Sequence, residues 1–128
     1  MVTKYLEVGN NNWGILLTFD FDYLDYDDIA SVLYSFGMTE KSIRKAMNIL
    51  SVPNTGMAVS NPDLRMTAIY IGRATSPSQF WNTLNHELYH ATAAIIDYYD
   101  ERYDEEPAAY LHGELMRLVV TEIGEPCK

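Results

Sequence analysis

At 128 residues and 48% hydrophobic, the chain suits one domain, 1–128, with its own core, and its composition argues against intrinsic disorder. A formal net charge of −9 excludes a dedicated nucleic-acid binder, because phosphate recognition needs clustered cations. No apolar run approaches the roughly 20 residues of a membrane span, the opening MVTKYLEVGNNN lacks the apolar centre of a signal peptide, and the single cysteine, Cys127, excludes a disulfide framework or a cysteine zinc cluster, so a cytoplasmic protein with no membrane or nucleic-acid partner is expected.

The first predicted element is a strand in Gly14–Asp22, where the apolar run GILLT passes into Phe-Asp-Phe-Asp. That period of two predicts Phe19 and Phe21 inward and Asp20 and Asp22 outward. The segment is no calcium loop, since the glycine and terminal glutamate of an EF-hand are missing. A short helix follows over Asp27–Phe36, with Ile29, Val32, Leu33 and Phe36 on one face and Gly37 as its stop. Thr39 opens a second helix, TEKSIRKAMNIL, whose apolar side is Ile43, Met47 and Leu50 and which Pro53 ends. Thr55–Ser60 and Leu64–Gly72 flank the turn-forming Asn-Pro-Asp and read as a hairpin.

Ser76-Pro77-Ser78-Gln79 offers an N-cap serine, proline at the first helical position and glutamine three after the cap. A long helix is predicted from there to about Tyr99. After the polar break DERYDE, a last helix starts near Glu106-Pro107 and runs to about Ile123, stopped by Gly124 and Pro126. The acidic blocks Asp20–Asp28 and Asp97–Glu106 read as solvated connections. The expected fold is α+β: a small sheet, one long helix and a second C-terminal helix.

The chemistry sits in the long helix, as His86-Glu87-Leu88-Tyr89-His90. Residues four apart on a helix differ by about 40° around its axis, so His86 and His90 can converge on one Zn²⁺. Glu87, one step round from His86, points beside such a metal, where a general base for water belongs. Shuffling this composition yields H-E-x-x-H only about 0.3% of the time, which makes the motif specific for its length. A third protein ligand is needed, and no histidine follows at the H-x-x-G-x-x-H spacing, since positions 93 and 96 are Ala93 and Ile96.

A carboxylate at the start of the last helix is therefore expected to complete the site, from Asp104, Glu105 and Glu106. Glu106 is favoured, with Tyr110 and Gly113 on its face, and Glu105, which shares its face with His112, is the alternative. Asp97 lies two turns past His90 and is a candidate acceptor behind a ligating histidine. Tyr110 and His112 are candidate donors to a developing oxyanion.

With TLNHELYHATAAI, EEPAAYLHGEL and the upstream strand MTAIYIG together, the chain resembles a minimal zincin of the gluzincin type. It is similar to small metallopeptidase-like proteins of phages and mobile elements and, more loosely, to the ImmA/IrrE family. The resemblance spans Leu64 to Arg117; the first 60 residues carry no family signature. It implies a zincin-like fold, zinc held by His86, His90 and Glu106, and Glu87 activating water to cleave a peptide or protein substrate. It also implies a strand beside the helix that presents its edge to an extended substrate, a part Leu64–Gly72 is placed to play. The other class it implies is a binding or structural protein of a phage or mobile element that keeps the fold without turnover.

Overall fold

A computed structural model describes residues 1–9, 12–99 and 105–124, the first three of the last stretch by their backbone alone. Its strands are β1 (Val2–Val8), β2 (Trp13–Phe19), β3 (Gly56–Asn61) and β4 (Met66–Ile71); its helices are α1 (Tyr26–Ser35), α2 (Glu40–Leu50), α3 (Pro77–Tyr98) and α4 (Glu105–Ile123). The architecture is α+β with a four-stranded mixed sheet in the order β1-β2-β4-β3. β1 pairs antiparallel with β2, β2 parallel with β4, and β3 antiparallel with β4.

Helices cover both faces of the sheet. On one face Ile15, Leu17, Ile69 and Ile71 pack with Leu84, Leu88 and Ile95 of α3 and with Leu115 and Val119 of α4. On the other, Ala68 and Tyr70 pack with Ile29 and Leu33 of α1 and with Ile43, Ala46 and Leu50 of α2. A strand buried on both faces needs a nearly continuous apolar run, and β2 supplies one in WGILLTF. The polar groups it buries are paired: Trp13 Nε1 donates to Thr67 Oγ1 at 3.0 Å, and that oxygen lies 2.7 Å from Ser60 Oγ.

Strand β1 is not among the elements expected from the sequence. Its alternation is plain once paired: Leu6 and Val8 are buried while Thr3, Tyr5 and Glu7 face water. The Phe-Asp-Phe-Asp expectation needs correction. β2 ends at Phe19, and Asp20 takes the left-handed backbone at φ +56°, which turns the chain. Phe19 then meets Phe80 edge-on at 5.3 Å on one side of the sheet, while Phe21 meets Tyr70 at 6.3 Å on the other. Asp22 acts within its own turn, where its carboxylate accepts from Leu24 N at 2.8 Å and caps a single 3-10 turn, Tyr23–Asp25.

The helices follow their signals closely. Thr39 accepts from Ser42 N and Ser76 from Gln79 N, both at 3.2 Å, and Pro77 occupies the first position of α3. All four residues expected on the core face of α3, Phe80, Leu84, Leu88 and Ala91, are buried. Gly37 and Gly124 stop α1 and α4 at φ +92° and +68°. Of the predicted break DERYDE, 100–104 lie outside the described residues, as do Pro126 and Cys127, while its last residue, Glu105, is the first of α4. No helix among the described residues is long and apolar enough to cross a membrane.

Candidate metal centre

Because α3 buries Leu84, Leu88, Ala91 and Ile95 under the sheet, its helical period turns His86 and His90 outward. Their Nε2 atoms stand 3.3 Å apart, with the rings edge-on at 4.9 Å. Two ligand nitrogens of one tetrahedral zinc, each at 2.0–2.1 Å, are separated by about 3.3 Å. The pair therefore has the spacing that a shared zinc sets.

Glu87 lies at the border of the buried face, only 6% exposed, with Oε1 3.9 Å from His86 Nε2. Burial pushes its carboxyl up from the usual carboxylate range, and His86 and His90 pull it partly back. Ligand atoms of His86, Glu87 and His90 all lie within 4.8 Å of one another, and no other such group of histidines and carboxylates occurs among the described residues. The donor set, two neutral-capable imidazoles with a neighbouring carboxylate, fits zinc.

The cleft beside this cluster has a volume of about 350 Å³ and is lined by Ile49, Asn54, Thr55, Gly56, Asn82 and Thr83 together with His86 and Glu87. Its wall is tied down. Asn54, at φ +64°, donates through Nδ2 to Thr75 Oγ1 at 3.0 Å, and its Oδ1 accepts from Thr75 N at 2.9 Å. Thr55 Oγ1 lies 2.7 Å from the carbonyls of Ile49 and Val52, closing the end of α2. A second cleft of about 380 Å³, around Tyr5, Trp13 and Arg65, holds no comparable cluster.

Gly56 is a site residue that sequence reasoning passed over. A Cβ there would stand 2.7 Å from Thr83 Cγ2, 3.0 Å from Glu87 Cγ and 3.1 Å from the Tyr70 carbonyl. Only glycine lets β3 come this close to α3 beside Glu87. The available signal was a glycine at the head of an otherwise ordinary strand, Gly56-Met57-Ala58-Val59.

The remaining candidates are placed as follows. Asp97 is exposed in the last turn of α3 and does not join the His86–Glu87–His90 group. Tyr110 is 76% exposed. His112 is half-buried: its Nε2 lies 2.7 Å from Asn85 Oδ1, and its ring is 6.4 Å from Tyr89, so it docks on the α3 flank next to the histidine pair. Burial lowers its pKa, and its Nδ1 is buried without a hydrogen-bond partner. The side chains of Glu105 and Glu106, and all of Asp104, lie outside the described residues. Around them α4 turns His112, Leu115 and Val119 inward and leaves Tyr110, Gly113 and Arg117 in water.

The strand expected to offer its edge needs correction. β4 is paired on both sides, to β2 and β3, so it has no free edge. The open edge at this end of the sheet belongs to β3, which packs against α3 and begins at the cleft.

Comparison with known proteins adds no relative. No protein-family model matches the chain, and no curated protein or solved structure is significantly similar to it.

Proposed function

We propose that the protein is a zinc-dependent metallopeptidase of zincin type, with His86 and His90 as metal ligands and Glu87 as the general base. The observation that carries this reading is the 3.3 Å separation of the two Nε2 atoms with a buried carboxylate alongside. The same 3.3 Å suits an N–H···N hydrogen bond between the two imidazoles, and the carboxylate desolvated beside them is what favours the metal.

Zinc bound there would supply a Lewis acid that acidifies water and polarises a peptide carbonyl. The chain's own residues supply the rest. Glu87 is only 6% exposed beside Gly56 of β3, and burial raises its affinity for a proton, which suits a group that must accept one and pass it on. Leu84 and Leu88, fixed in the core, hold the α3 backbone that aims both imidazoles. The third ligand in this reading comes from the first turn of α4, Glu106 or Glu105. Glu106 is the favoured ligand and Glu105 the alternative.

Metal content of the purified chain tests the site. The wild type should bind zinc at one equivalent and be stabilised by it; His86→Ala and His90→Ala should lose both effects. Glu87→Gln should retain zinc and lose peptide cleavage by a factor of roughly 10² or more. Zinc lost equally from all three variants would overturn the assignment of roles. Zinc retained with no turnover by the wild type on a broad peptide library would favour the non-catalytic binding protein of a phage or mobile element. Glu106→Ala should weaken zinc more than Glu105→Ala, and the reverse order moves the ligand by one position.

A further inference from the structure

The cleft beside the histidine pair spends almost all of its polar side chains on the protein itself. Asn54 gives both ends of its carboxamide to Thr75. Thr55 Oγ1 lies 2.7 Å from the carbonyls of Ile49 and Val52, and Thr83 Oγ1 donates to the Asn54 carbonyl at 3.4 Å. His86 and Glu87 belong to the candidate metal centre. That leaves Asn82, which lines the cleft, is exposed, and has no hydrogen-bond partner among the described residues.

Nothing within α3 accounts for an asparagine at this position. Asparagine is a poor residue for a helix interior, and Asn82 does not cap the helix, a task that falls to Ser76. The other asparagine of α3, Asn85, has a partner, since its Oδ1 lies 2.7 Å from His112 Nε2. Asn82, His86 and His90 are spaced four apart and so form one stripe of the helix, with the free carboxamide about 6 Å along the axis from His86. On the α2 side of the cleft stands Ile49, 51% exposed and the one large apolar side chain of the lining.

We propose that Asn82 selects the substrate, and that it selects a residue with a neutral carboxamide side chain, glutamine before asparagine; the substrate role rests on the peptidase reading of the same cleft. A carboxamide carries donors on one side and an acceptor on the other, so two of them pair through two hydrogen bonds run in opposite directions. Glutamine places two methylenes ahead of its amide, which lie against Ile49 while the amide reaches Asn82; asparagine is one methylene shorter. A carboxylate in that place would meet the like charge of Glu87, and a cation would meet the charge of the bound zinc. An apolar side chain would strip water from Asn82 and leave its amide unpaired. Asn82 acts by binding, about a helical turn from the metal, and takes no part in proton transfer.

The test uses the full-length, isotope-labelled Glu87→Gln chain with zinc added, and the peptides acetyl-Ala-Ala-X-Ala-Ala-amide, with X glutamine or leucine. Their alanine backbone leaves X free to slide into the cleft. The NMR cross-peaks of the Asn82 side-chain NH2 should move with the glutamine peptide, which should bind about tenfold tighter than the leucine peptide. Asn82→Leu should remove that preference, and Asn82→Gln should keep most of it. Cross-peaks that stay still, equal affinity for the two peptides, or an unchanged preference in Asn82→Leu each overturns the proposal. Equal weakening of both peptides by Asn82→Leu does so too, since it marks a structural residue. In cleavage by the wild type, a peptide with X glutamate should fall behind X glutamine in kcat/KM, and the reverse order overturns the neutral class. Cleavage of glutamine and leucine peptides at equal kcat/KM keeps the peptidase and removes the role of Asn82. A glutamine preference in binding, in a chain that neither holds zinc nor cleaves, keeps the carboxamide site and removes the peptidase.

Discussion

Gly56 and His112 show how much a single residue can depend on its surroundings. The Gly56 contacts leave a methyl group nowhere to go, because one of the atoms it meets is the Tyr70 backbone carbonyl. Gly56→Ala should cost about 1–3 kcal/mol by overpacking and push β3 from α3. Thermal unfolding reads the first effect and weakened zinc affinity the second; an unchanged melting temperature with unchanged affinity would show that the approach is not tight. His112 predicts a pH effect. Its folded pKa lies below its unfolded value near 6.5, so the unfolded chain binds the proton more readily. Its contribution is complete above about pH 6.5 and is lost as pH falls from there toward the folded value. Melting of the wild type should therefore drop more between pH 7.5 and 5 than melting of His112→Gln, and parallel curves would count against a burial-shifted imidazole.

At the scale of elements, α3 does two things with one sequence. Its inward stripe of Phe80, Leu84, Leu88 and Ala91 makes the core of one sheet face, and the same period leaves His86 and His90 outside. Its start depends on Ser76, whose oxygen satisfies the Gln79 N–H at 3.2 Å. Ser76→Ala should destabilise the fold by about 1 kcal/mol, visible as a shift of the denaturant midpoint with an unchanged slope. A larger loss that also changed the slope would mean that the serine holds more than the cap. Helix boundaries were legible because caps, proline and stop glycines act within a turn of where they stand. β1 was not, because VTKYLEV mixes lysine, glutamate and tyrosine with its apolar residues and becomes a recognisable strand only beside β2.

On the scale of the whole molecule, the sheet order places the chemistry. Since β4 runs parallel to β2 and β3 is folded back outside it, the open edge falls to the weaker strand of the hairpin, next to α3 and α2 at once. The helices α1 and α2 carry no chemical motif, yet α2 contributes Ile49 to the wall of the cleft. What the sequence determined by itself was local: the caps, the apolar stripes, the convergence of His86 and His90, and the place of Glu87 beside them. Each follows from spacings of one to four residues along one element, and helical geometry does not change with context. Only the tertiary structure decided that Glu87 is buried, that Gly56 lies close against it, that Phe19 and Phe21 part to opposite faces, and that β3 and not β4 has the free edge. Those depend on which segments meet across the fold, through strand pairing and packing between residues far apart in the chain.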